Sequence, residues 1–305
     1  MTALLGLGTY RIPGEEMAAA ARRAALSPSA WIDTAPNYAG GRAHRVLAPV
    51  LAEHPGTRIA TKAGFLTPAT AKEAHAAGVV DDPGVRHSLD PRFVRWQTDR
   101  SRTELGRPQL DAVFLHNPEH GQQPHDGHEL ADRLRAAFAV LEEEAHAGHL
   151  ASYGVATWDG FADGAFTVPQ LDRLATEAAG TRDHRLRLVQ LPVSLVMADH
   201  LGESLHGYGP IHQAAARGWD VHASAPLHGG ELLTLATPEV AALVKEGATV
   251  AAACLAATAS CPGVARVLLA TSNPAHWTDA LTVTAAPAIP PDTLRTALDV
   301  LATPV

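Results

Sequence analysis

Four titratable side chains stand in a pattern that suits proton transfer. Asp33 ends the short apolar run Trp31-Ile32-Asp33, and Tyr38 follows in the polar segment after it. Lys62 ends Arg58-Ile59-Ala60-Thr61-Lys62, and His116 ends Ala112-Val113-Phe114-Leu115-His116. A tyrosine hydroxyl, with an ordinary pKa near about 10, is a weak acid at neutral pH. A nearby ammonium favours the phenolate and makes the proton easier to give. A carboxylate can hold that ammonium in place, and an imidazole can orient the oxygen that receives the proton. Each residue alone has an ordinary explanation: a turn-forming Asp, a solvated Lys, a packed Tyr, a hydrogen-bonded His. Four of them at or just past the ends of successive apolar runs are much harder to explain that way.

The runs themselves form a series. They cover 4–8, 31–33, 58–61, 112–115, 152–155, 186–191, 219–223 and 264–269, and several are apolar on consecutive residues. That pattern suits strands of a parallel sheet buried on both faces. Helical patterns lie between them. Over 131–147, Leu134, Phe138, Leu141 and Ala145 share one face, with Asp132, Arg135, Glu142 and Glu143 on the other. Pro91 opens a helix over 91–105, and Pro274 sits at a first helical position ahead of 275–282. Residues 238–259 read as one long alanine-rich helix stopped at Cys261-Pro262-Gly263. Eight strands alternating with helices imply an α/β chain of the (β/α)8 TIM-barrel class. We expect one barrel domain over 1–305, its active site at the C-terminal mouth of the strands. The stretches 64–91 and 117–129 read as long loops on that face. An open doubly wound sheet would show a glycine-rich turn after its first strand, but Gly6-Leu7-Gly8 lacks the third glycine.

Composition narrows the partners. The 305 residues carry a formal charge of −8, with 46 % hydrophobic and 18 % charged residues, as in a globular chain. No basic block marks a nucleic-acid groove, and no apolar run reaches the roughly 18 residues of a membrane span. The segment MTALLGLGTY lacks a charged leader region, so a cytoplasmic location is expected. Two cysteines, Cys254 and Cys261, exclude a multi-cysteine zinc site and a disulfide framework. Read on one helix, they stand too far apart to bridge and are expected to be core residues. His116, His120, His125 and His128 lie among Gly121, Pro124 and Gly127, so no helical ligand pair is fixed and no metal is expected.

The ordered segments resemble the aldo-keto reductases over most of the chain. Leu5-Gly-Leu-Gly-Thr-Tyr10, Asp33-Thr-Ala-Pro-Asn-Tyr38, Thr61-Lys-Ala-Gly64 and Leu115-His-Asn-Pro-Glu119 are similar to that family's first four strand ends. Tyr153-Gly-Val-Ala-Thr-Trp158, Val189-Gln-Leu-Pro192, Ala223-Ser-Ala-Pro-Leu-His-Gly-Gly230 and Leu269-Ala-Thr-Ser-Asn-Pro-Ala-His276 follow in order. The excursion after Gly64 and the Leu-His-Asn-Pro run look most like the sugar and aldose dehydrogenase branch. The resemblance implies hydride transfer between a nicotinamide cofactor and a carbonyl or alcohol group of a small polar substrate. It implies a catalytic tetrad: Tyr38 as general acid/base, Lys62 tuning it, Asp33 positioning Lys62, His116 orienting the carbonyl. Cofactor contacts are expected from Gly8, Thr9, Tyr10, Asp33, Thr157, Gln190, Ser224, Pro226, Leu227, Thr271, Ser272, Asn273 and His276. Tyr10, Asn117 and Trp158 are expected at the substrate, with loops 64–91, 117–129 and 192–212.

The departures from the family pattern concern the cofactor. Ala156-Thr157 replaces a Ser-Asn pair, at a cost of about one to two decades in affinity for one or two lost hydrogen bonds. Ala270 replaces a glycine, and no Lys or Arg lies in 271–276 to meet a 2′-phosphate. The family implies NADP(H), with NAD(H) the alternative. The early first strand implies that the family's barrel-plugging hairpin is absent, and no long tail closing over a substrate is expected after the last helix. Two other readings use the same residues. One is a cofactor-sensing or cofactor-lost non-catalytic barrel, since the family includes cofactor-binding subunits of potassium channels. The other is a non-redox acid–base enzyme such as a lyase or epimerase. Substrate identity, direction and oligomeric state are open at this level.

Overall fold

A computed structural model describes residues 2–120 and 127–302. Its strands are β1 (Leu4–Gly8), β2 (Trp31–Asp33), β3 (Arg58–Ala63), β4 (Leu110–His116), β5 (Leu150–Ala156), β6 (Leu186–Pro192), β7 (Asp220–Ser224) and β8 (Val264–Leu269). They follow one another in chain order and close into a parallel (β/α)8 barrel. All eight expected apolar runs are strands. Their consecutive buried residues, such as Ala112 to Leu115 in β4, are what a sheet covered on both faces requires.

The chain forms two compact units, 7–189 and 1–6 with 190–305. In the first, α1 (Gly14–Ala25), α2 (Ala43–Glu53), α3 (Pro68–Ala76), α4 (Pro91–Leu105), α5 (Gly127–His146) and α6 (Val168–Ala179) connect the strands. In the second, the helices are α7 (Asp199–Leu205), α8 (Gly209–Ala216), α9 (Leu232–Leu235), α10 (Pro238–Val244), α11 (Val250–Ala259), α12 (Pro274–Ala285) and α13 (Pro291–Ala302). Local chemistry sets several ends. The Asp90 side chain accepts from the Arg92 amide at 2.8 Å, Pro91 takes the first turn, and Gly106 closes α4 in the left-handed region. Asn273 caps α12 in the same way, ahead of Pro274.

Several sequence expectations change. The stretch 64–91 is not a plain loop. Thr67 caps α3 within it, and Leu66, Ala71, Ala74 and Val80 pack with Phe93 of α4 into a small core of their own. In 117–129, α5 begins at Gly127, and residues 121–126 with His125 lie outside the described residues. Glu142, expected on the solvent face of α5, is buried: its carboxylate accepts from the Tyr153 hydroxyl at 2.8 Å and the Arg185 amide at 2.6 Å. A hydropathy pattern cannot anticipate such partners. The expected helix 238–259 is two helices, because Lys245 turns extended, Gly247 takes a positive φ, and Thr249 caps α11. Cys261 therefore lies past the end of α11; both cysteines are free and buried.

The returning segment after α3 is tied to β3. Phe65 and His87 form an antiparallel bridge, the Leu66 amide donates to the Arg86 carbonyl at 2.9 Å, and the Ser88 amide to the Gly64 carbonyl at 3.0 Å. Gly64 has φ +150, and a Cβ there would lie 2.8 Å from the His116 carbonyl oxygen and 2.9 Å from His87 Nε2. Only glycine lets these chains meet. Beneath them, the Thr61 hydroxyl lies 2.9 Å from His44 Nε2, and His44 Nδ1 lies 3.2 Å from Glu104 Oε2. Arg100 joins Glu104 to Glu73, linking α4 to α3. Burial works to raise the Glu104 pKa, but His44 and Arg100 hold it down at about 2, below the ordinary 4.5.

A lowered carboxylate pKa stabilises the fold above its unfolded value, and that stability is lost as pH falls through the folded one. Glu104→Gln should therefore cost on the order of 2 kcal/mol at pH 7, and less as pH drops from about 4.5 towards 2. Urea unfolding of both proteins at several pH values checks this; a gap that stays constant with pH contradicts it. Gly64→Ala should cost about 2 kcal/mol or more through strain and overlap. A wild-type denaturation midpoint would show that the close approach does not constrain the fold.

Candidate active site

Asp33, Lys62 and His116 project from the C-terminal ends of β2, β3 and β4, in register with neighbouring strands: Asp33 opposite Ala60, Lys62 opposite Phe114, His116 opposite Ala156. The Lys62 side chain is 1 % exposed and that of Asp33 6 %. Lys62 Nζ donates to Asp33 Oδ1 at 2.5 Å and to the Thr34 carbonyl at 3.0 Å. Burial by itself would lower the Lys62 pKa, but Asp33, joined by Tyr38, outweighs it and raises it. Lys62 is thus a buried ammonium with a fixed counter-ion. Thr9 braces the same corner, its amide donating to the Asp33 carbonyl at 3.0 Å and its Oγ1 lying 2.9 Å from Thr34 Oγ1.

Tyr38 begins a tight turn over Tyr38–Gly41, in which Ala39 and Gly40 both have positive φ. Lys62 Nζ lies 5.1 Å from the centroid of its ring. Burial raises the Tyr38 pKa above 10.0, Lys62 pulls it down, and Asp33 pushes it up. The net direction is upward. Lys62 acts in the direction expected from the sequence, towards the phenolate, and burial acts against it. Burial is the larger influence, and the phenol keeps its proton.

His116 meets the Tyr38 ring edge-on with centroids 6.0 Å apart. Burial, with Lys62, His87 and His120 nearby, drives its pKa well below 6.5, so the ring is neutral. Its Nδ1 is buried without a hydrogen-bond partner. Sequence reading missed what surrounds it. His87 Nε2 lies 2.8 Å from the His116 carbonyl oxygen, so that nitrogen carries the proton and donates. Burial lowers the His87 pKa to about 4. Phe65 touches His116, His87 and His120, with centroids 4.8 to 4.9 Å apart. Phe65 and His87 gave no signal because they are adjacent only through the bridge after α3.

The other expected site residues divide by unit. In 7–189, Gly8 ends β1, and the exposed Tyr10 ring lies 5.2 Å from that of Tyr38. Asn117 takes a positive φ of 47°, and its amide donates to the Ala156 carbonyl at 2.6 Å. Trp158 is exposed. Thr157 is buried and committed: its hydroxyl donates to Glu119 Oε1 at 2.7 Å and accepts from the Gly160 amide at 2.8 Å. Glu119 also accepts from the Trp158 amide at 3.0 Å, and its Oε2 is buried without a partner. Glu119 lay in plain view in the Leu-His-Asn-Pro-Glu run; only its burial marks it. In the other unit, Gln190 is buried in β6, Ser224 ends β7, and Pro226 and Leu227 follow Ala225 at positive φ. Past β8, Thr271 Oγ1 accepts from the Asn273 amide at 3.2 Å, Ser272 lies between them, and Asn273 Nδ2 lies 3.4 Å from His276 Nε2 at the start of α12.

Among the described residues no helix is long and apolar enough to cross a membrane. Solved structures share the fold. A glycerol dehydrogenase from Gluconobacter oxydans aligns over 99 % of this chain and 93 % of its own at a TM-score of 0.70 and 18 % identity. An aldo/keto reductase from Klebsiella pneumoniae, in complex with NADP and acetate, aligns over 97 % and 90 % at 0.67 and 18 %. A thermostable aldo-keto reductase in complex with the inhibitor epalrestat aligns over 97 % and 94 % at 0.67 and 18 %. No curated protein matches the sequence. The profile of the aldo/keto reductase family matches residues 2–296, nearly the whole chain, and the chain belongs to that family, as an NAD(P)-dependent oxidoreductase.

Proposed function

We propose that this oxidoreductase reduces the carbonyl of a small polar substrate, or oxidises the matching alcohol, with Tyr38 as general acid/base. The observation that carries the reading is the buried Lys62–Asp33 pair under the Tyr38 ring, beside a neutral His116. A bound nicotinamide dinucleotide supplies or takes the hydride, which no side chain can. Tyr38 holds its proton at neutral pH and can give it to the developing alkoxide oxygen. Lys62 stays charged and favours the phenolate that remains. Asp33 keeps that ammonium from leaving the pair. His116, uncharged, can donate one ring N–H to the same oxygen and so orient it without competing for the proton.

The residues present fit such a cofactor. Thr157 spends its one hydroxyl proton on Glu119, and Ala156 offers no side-chain polar atom. The buried, partnerless Oε2 of Glu119 is an acceptor suited to the carboxamide NH2 group. The other unit is proposed to contribute Gln190 to cofactor binding. The loop Ser224-Ala-Pro-Leu227 would take the pyrophosphate, and the amides of α12 with Ser272, Asn273 and His276 the adenosine phosphate. NADP(H) is the favoured form.

Tyr38→Phe should lower kcat by about 10²–10⁴-fold while leaving cofactor affinity near wild type. Because the protonated phenol is the acid and burial raises its pKa, kcat/KM for reduction should stay level from neutral pH to above 10.0, falling only beyond it. A pH–rate profile checks this, and an alkaline limb below pH 9 would contradict the raised pKa. Titration with NADPH and then NADH, followed by tryptophan quenching, should saturate with both, and at lower concentration with NADPH. Absence of saturation by either, up to millimolar, would sink the redox reading in favour of acid–base chemistry on the same four residues.

A further inference from the structure

Beside His116 the unit 7–189 carries a second feature that the tetrad does not use. A cleft of about 280 Å³ is lined by Arg86, His87, Ser88, Leu89, Pro118, His120 and Arg133. The cations stand out in a chain whose formal charge is −8. Arg86 is exposed, and no side-chain partner to its guanidinium exists among the described residues. Arg133 pairs with Glu129 one helical turn away on α5, which leaves Arg86 as the free charge. Ser88 Oγ accepts from the Asp90 amide at 3.1 Å, so its own proton is available to another acceptor. Of the two carboxylates next to lining residues in sequence, Glu119 is turned onto Thr157 and Trp158, and Asp90 is paired with Arg92.

The cleft is built, not incidental. The bridge between Phe65 and His87, with the Leu66–Arg86 and Ser88–Gly64 hydrogen bonds, fixes residues 86–88 against the end of β3. The rings of His116, Phe65 and His120 stand in contact one after another, and His87 is bonded to the His116 carbonyl. The polar wall of the cleft is thus two ring contacts from the imidazole that would orient a carbonyl. Guanidinium, hydroxyl and imidazole groups converging on a small opening are the donor set that recognises a carboxylate or a phosphate ester.

We propose that this cleft is an anion subsite centred on Arg86, and that the substrate is a short oxo compound carrying a carboxylate or phosphate a few bonds from its carbonyl. The substrate half of this inference rests on the hydride-transfer reading above; the anion site does not. Arg86 would hold the anion in a fork of two N–H groups, with Ser88 and His120 donating from the sides. Leu89 and Pro118 would cover the intervening carbons.

Two measurements separate the halves. Inorganic phosphate is titrated into the protein, with the imidazole resonances of His87 and His120 followed by NMR. Saturable shifts are expected, weakened about 10- to 100-fold in Arg86→Met and unaltered in the control Arg182→Met. No saturable shift, or equal binding by Arg86→Met, overturns the subsite. In parallel, kcat/KM is compared for succinic semialdehyde against butanal and for glyceraldehyde phosphate against glyceraldehyde, with NADPH. The anionic member of at least one pair should be preferred, the pair that shows it telling carboxylate from phosphate, and Arg86→Met should lower that preference about tenfold or more. Turnover with no preference for either anion overturns the substrate class. Phosphate binding that needs Arg86, with no turnover of any aldehyde, sustains the subsite and instead counts against the hydride-transfer reading.

Discussion

Everything chemical in this protein depends on one buried charge. Lys62 is almost wholly withdrawn from water, and an isolated ammonium in that position would lose its proton or unfold its surroundings. The Asp33 carboxylate at 2.5 Å prevents both. Removing one partner of such a pair leaves an uncompensated charge, which costs about 3–5 kcal/mol. The pair therefore contributes little net stability over an apolar packing and a great deal of electrostatic definition. It sets a fixed positive charge under the Tyr38 ring and, across the pocket, helps keep His116 neutral. Burial keeps the Tyr38 phenol protonated against the pull of that charge, while burial and the charge together keep His116 neutral.

The scaffold's task is to keep that arrangement rigid. Adjacent parallel strands place Asp33, Lys62 and His116 at neighbouring ends without any loop contribution. Beneath Lys62, the preceding Thr61 is anchored to His44 and through it to Glu104, so the strand cannot twist freely. Above it, the excursion through α3 returns to bond β3 and brings His87 onto the His116 carbonyl. The absence of a side chain at Gly64 makes that return possible. A single residue without a Cβ thus joins the fold of the excursion to the setting of His116.

Part of this was legible from the residues. The eight apolar runs gave the strands because doubly buried parallel strands need continuous hydrophobicity. Asp33, Lys62 and His116 were visible because polar residues closing three successive runs are harder to explain together than one by one. Pro91 and Pro274 marked helix starts because proline fits a first turn. The helix expected over 238–259 failed where a composition of alanine hid a break at Lys245 and Gly247. Glu142 was misplaced because helical periodicity ranks it polar, while Tyr153 and the Arg185 amide make its burial tolerable.

The sequence by itself determined the class of fold and the family, and singled out four side chains that the fold brings together, because these follow from local patterning and residue chemistry. The balance among those groups came only with tertiary structure. Whether lysine or burial governs the Tyr38 proton depends on how much water is excluded, and no spacing encodes that. The capture of the Thr157 hydroxyl by Glu119, and the gathering of Phe65, His87 and His120 around His116, join residues that are separated in sequence. Pairings of that kind arise when segments pack, since hydrogen bonds and ring contacts act over a few ångströms of space, whatever their separation along the chain.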